Sequence, residues 1–173
     1  EYLAGLNERV NVTLEYGIES IHDKTLDWMN RGHDYESVIK AVELTKQYGI
    51  KVAGHIILGF PVESKGMMLE TGVAANDLGL DFLKIHQLHV VKGTVLAKRY
   101  NDEPFPLFQA DEYIELVADI LERLDPRIVI QRLFGDAPDD ILVAPRWGYN
   151  IPKLTHLMDL ELNHRDSWQG KLF

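Results

Sequence analysis

The sequence predicts an α/β protein whose strands run parallel, and three observations carry this. Strand-like apolar segments alternate with segments of helical periodicity. The second strand segment, IKVAGHIILGF at residues 50–60, is apolar almost throughout, as in strands buried on both faces. Glycines at 49 and 79 stand where helices should end and the chain turn back. Crossovers of this length imply parallel neighbours with right-handed connections.

Residues 12–18, VTLEYGI, are β-branched, aromatic and apolar, and read as the first strand. Ser20 with Asp23 three residues later resembles a capping box for a short helix. Asp34 can cap a helix over 35–48, in which Val38, Ala41, Val42 and Thr45 form one apolar stripe. The strand at 50–60 follows, then a helix at about 65–78 and a third apolar strand, DFLKIHQLHVV, at 81–91. A connection with prolines at 101–110 leads to a helix at 111–124, with Ile114, Val117, Leu121 and Leu124 in register. PRIVIQRLF at 126–134 reads as a fourth strand. Residues 1–135 are therefore expected to form the βα layer. Residues 136–173, with a helical stretch near 152–163, are expected to pack on it as an extension. A closed eight-stranded barrel usually takes ~250 residues, so the pattern fits a small open sheet or part of a barrel.

The chain has 173 residues, enough for one domain with a real core. No apolar run approaches the ~18 residues needed to span a bilayer. The start, EYLAGLNERV, has neither the basic region nor the apolar stretch of a signal peptide, and a cytoplasmic location is expected. It does not begin with methionine, so a piece of a longer protein is expected. The formal charge of −9 argues against a protein held on nucleic acid by phosphate contacts alone. With no cysteine, disulfides and thiolate metal sites built from this chain are excluded.

In parallel α/β proteins ligands collect at the carboxyl ends of strands. Glu19 follows the first strand; His55 lies in the second, with Gly59 and Pro61 at its end. His86, Gln87 and His89 come late in the third strand, Arg132 late in the fourth. Each has a plain structural reading as well. Glu19 suits a helix N-terminus, Arg31 a solvated helix end, His55 a hydrogen-bonded core position, and Gly59 and Pro61 a turn.

Together, GIES, NRGHD with Arg31 twelve residues after Glu19, and GHIILGFPVES resemble the second half of a radical SAM enzyme core. KIHQLHVVKGT and LVAPRW extend the resemblance to the YhcC-type iron–sulfur oxidoreductases of that superfamily. It implies the carboxyl-terminal half of a partial TIM-type barrel of βα units. It also implies a parent enzyme that cleaves S-adenosylmethionine reductively at a [4Fe–4S] cluster, starting radical chemistry on an unknown substrate. The resemblance places Glu19 near the ribose or methionine end of the cofactor and Arg31 on its methionine carboxylate, where a planar guanidinium fork is suited. His55 stands where related enzymes carry an aspartate to the ribose hydroxyls; Gly59, Pro61 and Leu88 fall near adenine. The three-cysteine cluster motif of the family is absent. This chain alone is therefore expected to bind neither cluster nor cofactor tightly and to be inactive. It is expected to self-associate through an open sheet edge and an uncovered apolar face. Two other readings stand beside this one. One is a phosphate-ester enzyme on a partial βα barrel, with VKGT as phosphate cradle. The other is an RNA-binding or other interaction module with Lys84, Lys92, Lys98 and Arg99 as a basic edge.

Overall fold

A computed structural model describes residues 2–173; Glu1, where the chain was expected to enter a helix, lies outside the described residues. The elements are α1 (Tyr2–Asn7), β1 (Thr13–Glu19), α2 (Asp23–Trp28), α3 (Tyr35–Gln47), β2 (Lys51–Leu58), α4 (Lys65–Asp77), β3 (Phe82–Gln87), β4 (Val90–Val91), α5 (Val95–Asp102), α6 (Ala110–Leu121), β5 (Val129–Arg132), β6 (Leu142–Ala144) and α7 (Ile151–His164). Four strands form a parallel sheet in the order β1-β2-β3-β5. Sequential order without a reversal is the arrangement of barrel-type βα units, not of a doubly wound sheet.

The helix ends follow their sequence signals. Asp34 accepts from Ser37 N–H at 2.9 Å, and Ser64 accepts from Met67 N–H at 3.2 Å. The proposed capping box at Ser20 does not form: α2 starts after His22 with no side-chain cap. Ser20 Oγ instead donates to Glu63 Oε1 at 2.5 Å, tying the end of β1 to the turn before α4.

Helices cover one face of the sheet. Val52, Ile56 and Leu58 of β2 and Leu83 and Ile85 of β3 are almost fully buried on it, against Val38 and Val42 of α3, Ala75 of α4 and Leu116, Val117 and Ile120 of α6. The alternate residues point to the other face, where Glu15, Glu19, His55, Lys84 and His86 lie among Ala53, Ile57 and Phe82. That face is mixed and half-buried, not the fully buried apolar face expected. The outer edge of β1 has no strand partner among the described residues.

Three further departures matter. The strand expected at 81–91 breaks after Gln87: Leu88 N–H still donates to Leu58 O at 2.8 Å as the last bond of the β2–β3 ladder, and Val90–Val91 turn away to pair antiparallel with Leu142–Ala144. Residues 95–102 form α5, capped by Thr94, where only a loop was expected. The residues proposed as a basic edge are spread over β3, the turn after β4 and α5, which holds both Lys98 and Arg99. Lys84 is on the open face, paired with Glu15; Lys92 Nζ donates to Asp140 O; Arg99 of α5 stands over the Trp28 ring at 5.3 Å. The tail packs through α7, whose Leu154 and Met158 are buried against the core, and through Trp147, whose indole N–H donates to Phe108 O at 2.8 Å.

Candidate cofactor site at the strand ends

The site begins with a defect in β1. The register of β1 against β2 shifts between Gly17 and Glu19, a β-bulge. Glu19 takes φ +63°, a left-handed conformation unusual for a residue with a side chain. The Glu19 carboxylate lies on the open face, as alternation with Glu15 and Gly17 places it, and is buried to 8% exposure. Such backbone strain persists where surrounding contacts hold it, often at ligand sites.

Arg31, just beyond α2, reaches the same point. Its Nη2 donates to Gly17 O at 2.8 Å and lies 3.6 Å from Glu19 Oε1. Gly17 leaves room for this approach: a Cβ there would press on Glu19 Oε1 and stand 2.5 Å from Arg31 Nη2, so that both side-chain ends would have to shift. His55 of β2, opposite Gly17 in register, brings Nδ1 to 4.0 Å from Glu19 Oε2. The fold thus gathers Glu19, Arg31 and His55, which are separated in sequence. Each retains a buried polar atom without a hydrogen bond among the described residues: Glu19 Oε2, Arg31 Nε and His55 Nε2.

Burial raises the Glu19 pKa above its ordinary value, and the attraction of Arg31 opposes this without overcoming it. At 3.6 Å the guanidinium is too far for a hydrogen bond, so desolvation dominates. Burial lowers the pKa of His55, with Glu15 pulling the other way. His86 packs edge-on against His55 at 4.2 Å between ring centroids. Burial first, then His55 and Arg132, push its pKa down to about 4. Both rings are therefore neutral at pH 7.

The depressed His86 pKa makes a stability prediction. Below 6.5 the unfolded chain takes up a proton that the folded chain refuses until about pH 4. Wild type should lose stability relative to His86→Gln across that window, with no further divergence below it. Urea denaturation of both proteins between pH 7 and 3.5 is the check; parallel curves would show that the ring is solvated.

The remaining expected residues lie nearby but apart from this trio. Leu88 and Ile57 line a cleft of about 530 Å³ with Trp28, Asn30 and Arg99, at the carboxyl end of the strands and next to Arg31 in sequence. Gly59 has φ +104°, and a Cβ there would stand 3.3 Å from the Phe108 ring. With Pro61 it faces a separate cleft of about 300 Å³ bordered by Phe108. Sequence reasoning missed the role of Glu15 and Lys84 as an ion pair of the open face. The signal was present as alternation: Glu15, Gly17 and Glu19 in β1, Lys84 and His86 in β3.

A parallel sheet in sequential strand order, with helices on one face, defines a protein of the βα-barrel class. Its family follows from comparison. The Radical SAM superfamily model matches residues 1–72 and the Radical_SAM C-terminal domain model matches residues 80–163. The chain belongs to the radical SAM superfamily. YtqA of Bacillus subtilis (strain 168) is 38% identical over 173 residues, all of this chain and 54% of YtqA. YhcC of Escherichia coli (strain K12) is 32% identical over 150 residues, 87% of this chain and 48% of YhcC. The chain thus spans about half the length of the curated relatives it matches. The solved structure of Methanocaldococcus infernus Elp3 with an N-terminal deletion shares the fold. Its TM-score is 0.82 at 24% identity, over 96% of this chain and 39% of that one.

Proposed function

We propose that this chain is the part of a radical SAM enzyme that holds the organic portion of S-adenosylmethionine. The observation that carries this is the trio Glu19, Arg31 and His55, each with a buried polar atom lacking a partner, at the strand ends. Unpaired buried polar atoms are costly, and a polar ligand would satisfy them. In this reading the Nε edge of Arg31 meets the methionine carboxylate, while Glu19 and His55 take the ammonium and ribose hydroxyls. Leu88 and Ile57 offer apolar surface to adenine, with Gly59 and Pro61 shaping the turn beside them. The Leu88 N–H is already given to Leu58 O, so Leu88 would contribute its side chain.

The fit extends to S-adenosylmethionine and not to iron. The chain has no cysteine, and the described residues offer no grouping of three His, Asp or Glu able to hold a metal. The thiolates of a [4Fe–4S] cluster would come from sequence outside these 173 residues. When bound beside such a cluster, S-adenosylmethionine supplies the radical that attacks a substrate. What this chain does is grip and orient it and shield the site from water.

Glu19→Gln tests the reading on two axes. The raised pKa means that the ionised carboxylate opposes folding above 4.5, and the penalty disappears as pH falls below that value. The variant should gain stability over wild type as pH rises from 4.5 to 7, while binding S-adenosylmethionine more weakly in the complete, cluster-loaded protein. Denaturation curves and equilibrium dialysis measure the two. Affinity unchanged at full iron content would remove Glu19 from the site.

A further inference from the structure

The open face carries polar groups beyond the cofactor trio, in a row that His55 begins. Register sets His55 beside Lys84 and Lys84 beside Arg132, so the three cross β2, β3 and β5 in one line. One step nearer the strand ends, His86 packs on His55. Acidic partners neutralise the other cations of this region: Glu15 takes Lys84 and Glu19 lies beside Arg31. Arg132 is exposed and has no ion pair among the described residues. In a chain of net charge −9, the row therefore holds a local positive excess.

The imidazoles point the same way. His55 Nε2 and His86 Nε2 are buried without a hydrogen-bond partner among the described residues. Both rings are neutral at pH 7, so each has one N–H to donate. The wall beside His86 is held in place by Gln87, whose Oε1 accepts from Gly135 N–H at 2.8 Å and whose Nε2 donates to Gly135 O at 3.1 Å. A Cβ at Gly135 would stand 3.3 Å from His86 Cγ, so the backbone closes over the ring.

We propose that Arg132 and His86, beside the cofactor-facing His55, form a subsite for an anionic group, carboxylate or phosphate, carried by the substrate. A guanidinium suits either oxyanion through parallel N–H donors, and the neutral His86 imidazole adds a donor without charge repulsion. The label "substrate" rests on the radical SAM reading; the anion site itself does not.

The test uses the 173-residue chain with 15N-labelled histidines and no cofactor. Sodium phosphate and sodium acetate are titrated separately at constant ionic strength and pH 7, and imidazole correlations are followed. His156 and His164, exposed on α7, serve as internal controls. The expected result is saturating shifts at His55 and His86 with unmoved controls. A bound anion should also raise the His86 pKa against burial, the main cause of its depression, and against His55, Arg132, His89 and Lys84. The His55 ring, faced by Glu15, Lys84, Arg132 and Arg31 and close to Glu19, should shift in the same direction. Arg132→Gln, a change at an exposed side chain, should weaken binding about tenfold or more. Saturation by phosphate alone assigns a phosphate group; saturation by acetate as well assigns a carboxylate. Shifts that rise linearly and equally in all four histidines would overturn the proposal. So would binding that survives Arg132→Gln but is lost in Arg31→Gln, since that places the anion at the methionine-carboxylate position.

Discussion

Replacing Arg31 by alanine in the complete, cluster-loaded protein should weaken S-adenosylmethionine binding by about 1.5–3 kcal/mol, or roughly ten- to a hundredfold. The magnitude is that of a hydrogen bond to a charged group in a partly desolvated site. The geometry gives the reason. Nη2 is anchored on Gly17 O at 2.8 Å, which fixes the plane of the guanidinium and leaves its buried Nε without a partner. In the proposed complex that edge meets the methionine carboxylate. Arg31→Lys should recover only part of the loss, because one ammonium cannot both hold the Gly17 carbonyl and fork onto a carboxylate. Calorimetry at matched iron content is the measurement. If alanine and lysine variants both bind like wild type, Arg31 only ties the end of β1 to the residues after α2.

The largest stability loss is expected at Tyr113. This residue of α6 is fully buried, with Phe108, Phe134 and Trp147 around it at centroid distances of 6.3, 5.8 and 5.3 Å. Its hydroxyl donates to Leu133 O at 2.8 Å. Tyr113→Ala should cost about 3–5 kcal/mol, the range for removing a buried aromatic. Tyr113→Phe should cost about 1 kcal/mol, since it strips the Leu133 carbonyl of its donor while keeping the ring. Tyr113 links α6 to the end of β5 and, through Trp147, to the tail. The alanine variant should therefore also speed amide exchange in α7 more than in β2. Urea denaturation and hydrogen exchange would show this; a loss below 1 kcal/mol with α7 still protected would mean the tail is held independently, by Leu154 and Met158.

Local signals were readable where local chemistry decides. Asp34 starts a helix because its carboxylate caps Ser37 N–H, and Gly49 ends that helix because φ +66° suits glycine. Ser20 shows the limit. It carries a capping signal, but its hydroxyl is given to Glu63, 43 residues away, a bond that exists only once β1 and the turn after β2 meet. In the site, Glu19, Arg31 and His55 were legible as types at strand ends. Their convergence depends on the pairing of β1 with β2, which sets Gly17 beside His55.

The sequence by itself determined that the βα units pair in parallel and where most helices begin and end. It also determined that no cysteine is present to hold iron. These follow from periodicity, capping chemistry and composition, which act within a few residues. Tertiary structure decided the rest. It broke the third apolar run at Leu88, because Val90–Val91 found a partner in Leu142–Ala144. It turned one face of the sheet into a row of charges and imidazoles, because helices cover only the other. And it held Glu19 at φ +63°, buried beside Arg31, at the irregularity where β1 pairs with β2.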